Sequence, residues 1–272
     1  MSLPAAATDR TCLVTGASSG IGEEIARALA RRGRNVTLVA RREDRLRDLA
    51  DHLVETHRVR CDVLSADLTD QEARDGLVDA VDDLGLGVDV LVNNAGFSTI
   101  GRVTGADAKA EVDMIRLDVE AVVHLCARLV PPMVERGVGS VLNVASTAAF
   151  QPIPGQAGYG ASKAFVLSYT QALAEELKGT GVVATALCPG PVRTEFVEVA
   201  GLDPDEAEAA MPSVMWEEAE AVAAAGIDGL ATGRTVVIPG SANRVTAQLS
   251  RITPNRVLLP LLSRLHPAAK EG

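Results

Sequence analysis

Residues 15–22 read Thr-Gly-Ala-Ser-Ser-Gly-Ile-Gly, and this glycine-rich stretch decides the fold. It follows a short apolar run at residues 12–14 and precedes an amphipathic run at residues 23–32. The pattern predicts a strand, a glycine turn and a helix. Such a turn directs free backbone N–H groups and the positive end of a helix dipole toward an anion, usually a dinucleotide pyrophosphate.

The three glycines of this turn have different predicted tasks. Gly16 allows the tight turn, Gly20 lets a phosphate approach the backbone, and Gly22 lets the helix pack close to the strand. The intervening residues are expected to line the same site: Ser18, Ser19 and Ile21. The spacing is G-x-x-x-G-x-G, and by itself this segment would also suit a turn with incidental glycines.

Strand-like and helix-like segments alternate along the rest of the chain. The strand-like runs lack polar alternation, as is typical of parallel strands covered on both faces. They span residues 11–15, 35–40, 59–64, 88–92, 140–144, 182–187 and 235–238. Helix-like segments span residues 22–32, 43–56, 70–84, 107–136, 158–178 and 217–229. This order predicts an α/β fold, a doubly wound, Rossmann-like parallel sheet of seven strands with helices on both faces.

Four further motifs follow the glycine turn in order. Residues 93–96 (Asn-Asn-Ala-Gly) and Ser146 each follow a strand-like run, and a Tyr159-Gly-Ala-Ser-Lys163 segment begins thirteen residues after Ser146. Residues 188–194 read Cys-Pro-Gly-Pro-Val-Arg-Thr. Together with the glycine turn, these motifs strongly resemble those of the short-chain dehydrogenase/reductase family, over roughly residues 9–240.

The resemblance implies a division of the chain. Residues 1–240 are expected to form one dinucleotide-binding and catalytic domain, with a substrate lid around 195–215 for which an ordinary surface insertion is the alternative. Family members usually pair through the helices that correspond to residues 107–136 and 158–178, which implies a homodimer or homotetramer.

The C-terminal extension, residues 241–272, is expected to pack on the same domain or on a partner subunit. Its arginines are interleaved with leucine and valine, which would also suit contact with a membrane surface. This alternative is less favoured, because one short interrupted stretch offers little insertion energy. Pro254 and Pro260 are expected to interrupt any helix over residues 255–265.

The end of the second predicted strand favours NADP(H) over NAD(H). A carboxylate there would bond the ribose 2′-hydroxyl and repel a 2′-phosphate, but the chain instead has Arg41 and Arg42. A guanidinium matches phosphate geometry, and Arg41, nearer the strand end, is the first choice for this contact. The alternative is that both arginines are solvated residues that open the next helix.

The resemblance also places residues along the rest of the cofactor. Asp67 and Leu68 correspond to the adenine contact, although a capping role for Asp67 competes with it. The adenosine side is expected to lie against Asn94, Ala95 and Gly96, and the nicotinamide end against Pro189, Gly190, Val192 and Thr194.

Tyr159, Lys163 and Ser146 are the expected catalytic residues. Tyr159 and Lys163 are four residues apart in a helix-like segment, so both project from one face. A tyrosine is a poor base at neutral pH, and a nearby lysine cation favours the phenolate. The expected roles are acid/base for Tyr159, pKa control and ribose binding for Lys163, and carbonyl orientation for Ser146. Without this context, a structural tyrosine would be the simpler interpretation.

Asp118 departs from the family pattern. It stands where family members normally supply an asparagine that helps to hold a water in a proton relay to the lysine. Asp118 is expected to take over this relay, linked to Lys163 through water by its backbone or its carboxylate. The alternative is that its side chain faces elsewhere.

Composition excludes several other classes of function. A net charge of −10 and an aromatic content of 3% argue against nucleic-acid binding. The four cysteines are far apart and share no ligand spacing with the four histidines, so neither a metal site nor a disulfide is expected. No apolar run approaches the roughly 20 residues that span a bilayer. A cytoplasmic protein is expected.

The leading hypothesis is therefore an NADP(H)-dependent oxidoreductase acting on a small-molecule carbonyl/alcohol pair. Apolar residues at 148–150 and 152–154 suggest a substrate with an apolar body. One alternative is a nucleotide sensor or scaffold that keeps the fold without turnover. Another is a different reaction class on the same fold, such as an epimerase or dehydratase.

Overall fold

Seven parallel strands form the central sheet of the computed structural model, which describes residues 3–201 and 203–265. The strands are β1 (Arg10–Thr15), β2 (Val36–Ala40), β3 (Cys61–Ser65), β4 (Gly87–Asn93), β5 (Gly139–Val144), β6 (Val182–Leu187) and β9 (Val236–Val237). Their spatial order is β3-β2-β1-β4-β5-β6-β9. The order reverses between β1 and β4, which opens a crevice at the carboxyl ends of these strands. The predicted doubly wound α/β fold is confirmed.

The other elements surround this sheet. The helices are α1 (Gly20–Ala30), α2 (Glu43–His57), α3 (Gln71–Asp83), α4 (Ala108–Ile115), α5 (Ala121–Arg136), α6 (Ala157–Glu176), α7 (Phe196–Val199), α8 (Pro204–Ala210), α9 (Ala219–Ala231), α10 (Ser241–Ile252) and α11 (Asn255–Leu265). A separate two-stranded ladder joins β7 (Val192–Arg193) to β8 (Glu217–Glu218). Among the described residues, no helix is both long and apolar enough to cross a bilayer.

The sheet separates two apolar cores. On one face Val14 packs among residues of α1, α2 and α9, and on the other face its neighbour Leu13 packs among residues of α3, α5 and α6. Both side chains are fully buried. Successive side chains of a strand point to opposite faces, so a strand covered on both sides must be apolar at every position. This requirement explains the missing polar alternation in the sequence.

The predicted helix over residues 107–136 is divided in the structure. A π-helical turn, Arg116–Glu120, separates α4 from α5. Such a turn carries more residues than an α-helical turn and changes which side chain faces the core. Within it, Asp118 alone is buried.

The C-terminal extension is helical where it is described. Helix α10 bonds to the body of the protein, since Asn243 Nδ2 donates to the Met215 carbonyl at 3.0 Å. The expectation that prolines interrupt residues 255–265 is wrong, because α11 spans this segment. Pro254 precedes α11, and its carbonyl accepts the first bonds of the helix, while Pro260 is exposed and removes one donor only. Residues 266–272 lie outside the described part of the chain.

All four cysteines are free. Cys12, Cys126 and Cys188 are buried, and burial raises the pKa of each of these thiols to about 12. These three behave as small apolar residues.

Candidate active site

The glycine turn lies in the crevice between β1 and β4. Gly16 and Gly20 have φ angles of +66° and +59°, which side chains rarely adopt. A Cβ on Gly16 would approach Asn94 Nδ2 to 2.7 Å, and one on Gly20 would approach Thr194 Cγ2 to 3.0 Å. A Cβ on Gly22 would overlap the Gly16 carbonyl. The turn is therefore packed tightly against Asn94 and Thr194, with no room for side chains at these three positions.

The Asn-Asn-Ala-Gly segment at the end of β4 holds this turn in place. Asn94 Nδ2 donates to the Thr15 carbonyl at 3.0 Å, and the Asn94 and Ala95 amides both donate to Thr15 Oγ1. Asn93 acts inside the sheet, where its Nδ2 donates to Asn143 Oδ1 at 2.8 Å. The two neighbouring asparagines thus have different tasks, one at the turn and one between strands.

Arg42, rather than Arg41, lies against the glycine turn. Its Nη2 donates to Ser19 Oγ at 2.8 Å and to Ser18 Oγ at 3.1 Å, and its Nε donates to Ser18 Oγ at 3.2 Å. Arg41 is exposed at the end of β2. Only the Arg42 side chain bonds to the serines of the turn.

The predicted adenine contacts have local tasks in the structure. Asp67 Oδ1 accepts bonds from the Thr69 amide at 3.0 Å and from Thr69 Oγ1 at 2.8 Å. Leu68 is buried, and its carbonyl accepts a bond from Arg74. Asp67 therefore caps the turn before α3, as its alternative interpretation stated, and it remains exposed beside the crevice.

Ser146, Tyr159 and Lys163 come together at the carboxyl end of β5. Ser146 ends the segment after this strand and accepts a bond from the Ala148 amide at 3.1 Å. Tyr159 and Lys163 lie one turn apart near the start of α6, with Lys163 Nζ 5.6 Å from the centroid of the tyrosine ring. Lys163 Nζ also donates to the Val144 carbonyl at 3.3 Å, which ties α6 to the end of β5.

Asp118 contacts Lys163 directly. Its Oδ2 lies 3.0 Å from Lys163 Nζ, and its Oδ1 accepts a bond from the Phe97 amide at 3.2 Å. The expectation of a link through water is therefore wrong, because the π-helical turn brings the Asp118 carboxylate into direct contact with the Lys163 ammonium. The Asp118 side chain is fully buried, and that of Lys163 is 6% exposed. A Cβ on Gly96 would lie 2.7 Å from Asp118 Oδ1, so this ion pair requires glycine there.

The ion pair sets the electrostatics of the tyrosine. Burial raises the pKa of Tyr159, the Lys163 charge lowers it, the Asp118 charge raises it, and a hydrogen bond with Ser146 lowers it, leaving the pKa above its ordinary value. Burial lowers the pKa of Lys163, but Asp118 and Tyr159 together hold it above its usual range. Burial also raises the pKa of Asp118, and Lys163 opposes this effect. Asp118 thus keeps Lys163 protonated and weakens its effect on the phenol.

Residues 189–194 form the opposite wall of the crevice. The Pro189 carbonyl accepts a bond from the Thr147 amide at 2.8 Å, which joins this wall to the segment after Ser146. Val192 belongs to β7, and Thr194 lies over Gly20. Gly190 packs against the buried side chain of Asn243 from α10, so the C-terminal extension supports this wall.

Sequence reasoning missed two residues of the lid segment. The Phe196 ring lies 5.7 Å from that of Tyr159, centroid to centroid. Glu195 reaches back across the crevice, with Oε2 at 2.8 Å from Arg42 Nη1 and Oε1 at 2.6 Å from Arg45 Nη1. Their position directly after the 188–194 motif was the available signal. The partners of Glu195 are Arg42 and Arg45, which are 153 and 150 residues away in the sequence and could not be inferred from spacing.

A glycine turn over a switch-point crevice, with a buried lysine, a tyrosine and a serine at its edge, defines a dinucleotide-dependent oxidoreductase of the Rossmann type. A family model described as short chain dehydrogenase matches residues 10–205. The chain belongs to the short-chain dehydrogenase/reductase family.

Curated and solved relatives agree with this assignment. Sulfoacetaldehyde reductase 2 of Chromohalobacter salexigens is 38% identical over 189 residues, which cover 69% of this chain and 74% of the relative. A short-chain dehydrogenase from Sphingobium yanoikuyae, solved with NADPH, is 34% identical with a TM-score of 0.79, covering 93% of this chain and 95% of that one. The bulky-bulky ketone specific alcohol dehydrogenase from Comamonas testosteroni is 30% identical with a TM-score of 0.75, covering 96% and 97%.

Proposed function

We propose that this protein transfers a hydride between NADP(H) and a carbonyl/alcohol substrate. The observation that carries the proposal is the buried Lys163 beside Tyr159, in the same crevice as the glycine turn. A sensor or scaffold without turnover would need neither this tyrosine nor a buried ammonium, because burying the Lys163–Asp118 pair costs desolvation free energy even though the charges are paired. The NADPH bound to the Sphingobium yanoikuyae relative supports the choice of cofactor.

The glycine turn suits a dinucleotide with a 2′-phosphate. A pyrophosphate would accept hydrogen bonds from the backbone N–H groups at the start of α1, which begins at Gly20. The guanidinium of Arg42, fixed by Ser18 and Ser19, would hold the 2′-phosphate. Leu68 and residues 94–96 would line the adenosine side, and residues 189–194 the nicotinamide side.

The chemistry of the step is divided between cofactor and protein. When bound, the nicotinamide supplies or accepts the hydride. Ser146 donates a hydrogen bond to the substrate oxygen, and the Tyr159 hydroxyl donates a proton to this oxygen during reduction. Lys163 stabilises the resulting phenolate and binds the ribose. Asp118 positions Lys163 and keeps it charged.

The substrate is proposed to have an apolar body that contacts Phe196. This ring lies beside Tyr159, whereas Ala149 and Phe150, expected from the sequence to line the site, pack on one of the cores. The Comamonas testosteroni relative, named for bulky ketones, supports this choice. The proposed assembly is a homodimer or homotetramer, supported by exposed apolar residues on α4 and α6: Val112, Ile115 and Phe165.

A screen of NADPH oxidation over ketones and aldehydes tests this function, with NADH in parallel. We expect turnover with several ketones, and a higher kcat/KM with NADPH than with NADH. The control is Tyr159→Phe, which keeps the ring and loses only the hydroxyl. NADPH binding without turnover on any member of a broad panel would instead indicate a sensor.

A further inference from the structure

The guanidinium of Arg42 forms a preassembled anion site. Two hydroxyl oxygens, Ser18 Oγ and Ser19 Oγ, hold its Nε and Nη2 against the glycine turn. This fixes the plane of the guanidinium and leaves Nη1 directed away from the turn. A fixed guanidinium loses little side-chain entropy when an anion binds to it.

An anion of the protein itself already lies at this site. Glu195 Oε2 is 2.8 Å from Arg42 Nη1, and the other carboxylate oxygen is 2.6 Å from Arg45 Nη1. Hydrogen bonds from Arg45 and then Arg42, together with the charges of both arginines, hold the pKa of Glu195 below its ordinary value, so Glu195 is ionised at neutral pH. Its side chain is 38% exposed, and that of Arg42 is 40% exposed, so solvent reaches the pair.

The same guanidinium is the proposed contact of the 2′-phosphate, so this inference rests on the proposed function. A phosphate monoester carries nearly two negative charges at neutral pH. It cannot share one guanidinium with an adjacent carboxylate without repulsion between the two anions. NAD(H) has a 2′-hydroxyl in place of the 2′-phosphate, so it can bind without displacing Glu195 from Arg42.

We propose that Glu195 is a specificity-determining residue, because its carboxylate occupies the anion site of Arg42 and must leave it before a 2′-phosphate binds there. Glu195 therefore weakens the binding of NADP(H) and leaves the binding of NAD(H) nearly unchanged. Arg45 is one turn from Arg42 on α2 and can retain the displaced carboxylate. The native protein therefore prefers NADP(H) over NAD(H) by a smaller factor than it would if Glu195 did not contact Arg42.

Two mononucleotides isolate this effect from the rest of the cofactor. Adenosine 2′,5′-bisphosphate and adenosine 5′-monophosphate differ only in the 2′-phosphate, and neither carries the nicotinamide. Calorimetric titration of the native protein, E195Q and E198Q gives both affinities. Glu198 is an exposed acid of α7, the helix that Glu195 immediately precedes, so E198Q makes the same charge change away from Arg42. Thermal unfolding establishes that each variant is folded.

We expect E195Q to bind the bisphosphate roughly twofold to fivefold more tightly than the native protein, the range for release from one partly exposed ion pair. The monophosphate should change by less than about twofold, as should both ligands with E198Q. An unchanged or weakened bisphosphate affinity in E195Q overturns the proposal, and so does an equal gain in E198Q.

A third variant, R42Q, separates this inference from the cofactor assignment. R42Q should abolish the preference for the bisphosphate if Arg42 binds the 2′-phosphate. A preference that survives R42Q means that the 2′-phosphate binds elsewhere, which overturns the proposed role of Arg42 together with that of Glu195. A loss of preference in R42Q with no gain in E195Q overturns the Glu195 proposal alone.

Discussion

Replacing Asp118 with asparagine should move the pH dependence of alcohol oxidation to lower pH. Oxidation requires Tyr159 as a phenolate, and the Asp118 charge raises the pKa of this phenol. Asparagine has nearly the same shape and removes the charge, so the pKa of Tyr159 should fall. The plateau of the oxidation rate should then begin at lower pH, and reduction should lose rate at lower pH.

The size of this shift follows from the geometry. Lys163 Nζ lies 5.6 Å from the Tyr159 ring centroid and 3.0 Å from Asp118 Oδ2, so the carboxylate is no farther from the centroid than these two distances together. At roughly 8 Å and an effective dielectric constant of about 20, one unit charge contributes about 2 kcal/mol, or about 1.5 pKa units. A shift of about one to two units is expected.

The assay is kcat/KM for oxidation of a good alcohol substrate between about pH 6 and 11, in the native protein and D118N. The matched control is D113N, which removes a carboxylate that pairs with Lys109 and Arg116 on α4. D113N should leave the midpoint in place. A midpoint that stays or rises in folded D118N, with normal cofactor binding, would refute the electrostatic role of Asp118.

Five other variants test the remaining assignments. Tyr159→Phe should lower kcat by about 10²- to 10⁴-fold with the dissociation constant for NADPH nearly unchanged, because only the acid/base group is lost; substantial residual turnover would contradict this. Lys163→Ala should raise that dissociation constant and lower kcat together, whereas an effect on kcat alone would exclude ribose binding. Arg42→Ala should weaken NADPH binding by roughly tenfold to a hundredfold, the equivalent of about 1.5–3 kcal/mol, and leave NADH binding nearly unchanged. Arg41→Ala should weaken NADPH binding less. If fluorescence titrations rank the two variants the other way, Arg41 is the main contact of the 2′-phosphate. Gly96→Ala should displace the buried ion pair, lower kcat and destabilise the fold by about 1–3 kcal/mol in urea denaturation, and an unchanged variant would show that the pair tolerates movement.

The sheet was predictable from the sequence because each strand is buried on both faces. This constraint acts on every residue of a strand such as β1, where Leu13 and Val14 enter different cores, and it leaves a continuous apolar run. The glycine turn was equally predictable, since a Cβ on Gly16 or Gly22 would clash with neighbouring atoms of the turn or of Asn94, and only glycine fits there. Such signals are local, and the sequence displays them directly.

The structure differs from the sequence-based expectations where side-chain direction depends on distant parts of the chain. Spacing placed Asp118 correctly on its helix, but the π-helical turn that brings it to Lys163 has no clear local signature. Arg41 and Arg42 are equivalent by composition, and only the path of the chain after β2 selects Arg42. The prolines near α11 were given too much weight, because one lies before the helix and the other removes a single donor.

The three buried thiols have a practical consequence. With a pKa of about 12, Cys12, Cys126 and Cys188 would each be a thiolate about once in a hundred thousand molecules at pH 7. Each lies in or beside a strand or helix of the core, so an alkylating reagent meets it only after the chain opens. These cysteines are native reporters of unfolding, and pulsed alkylation read by mass spectrometry would follow the opening of β1, α5 and the end of β6 without any introduced label.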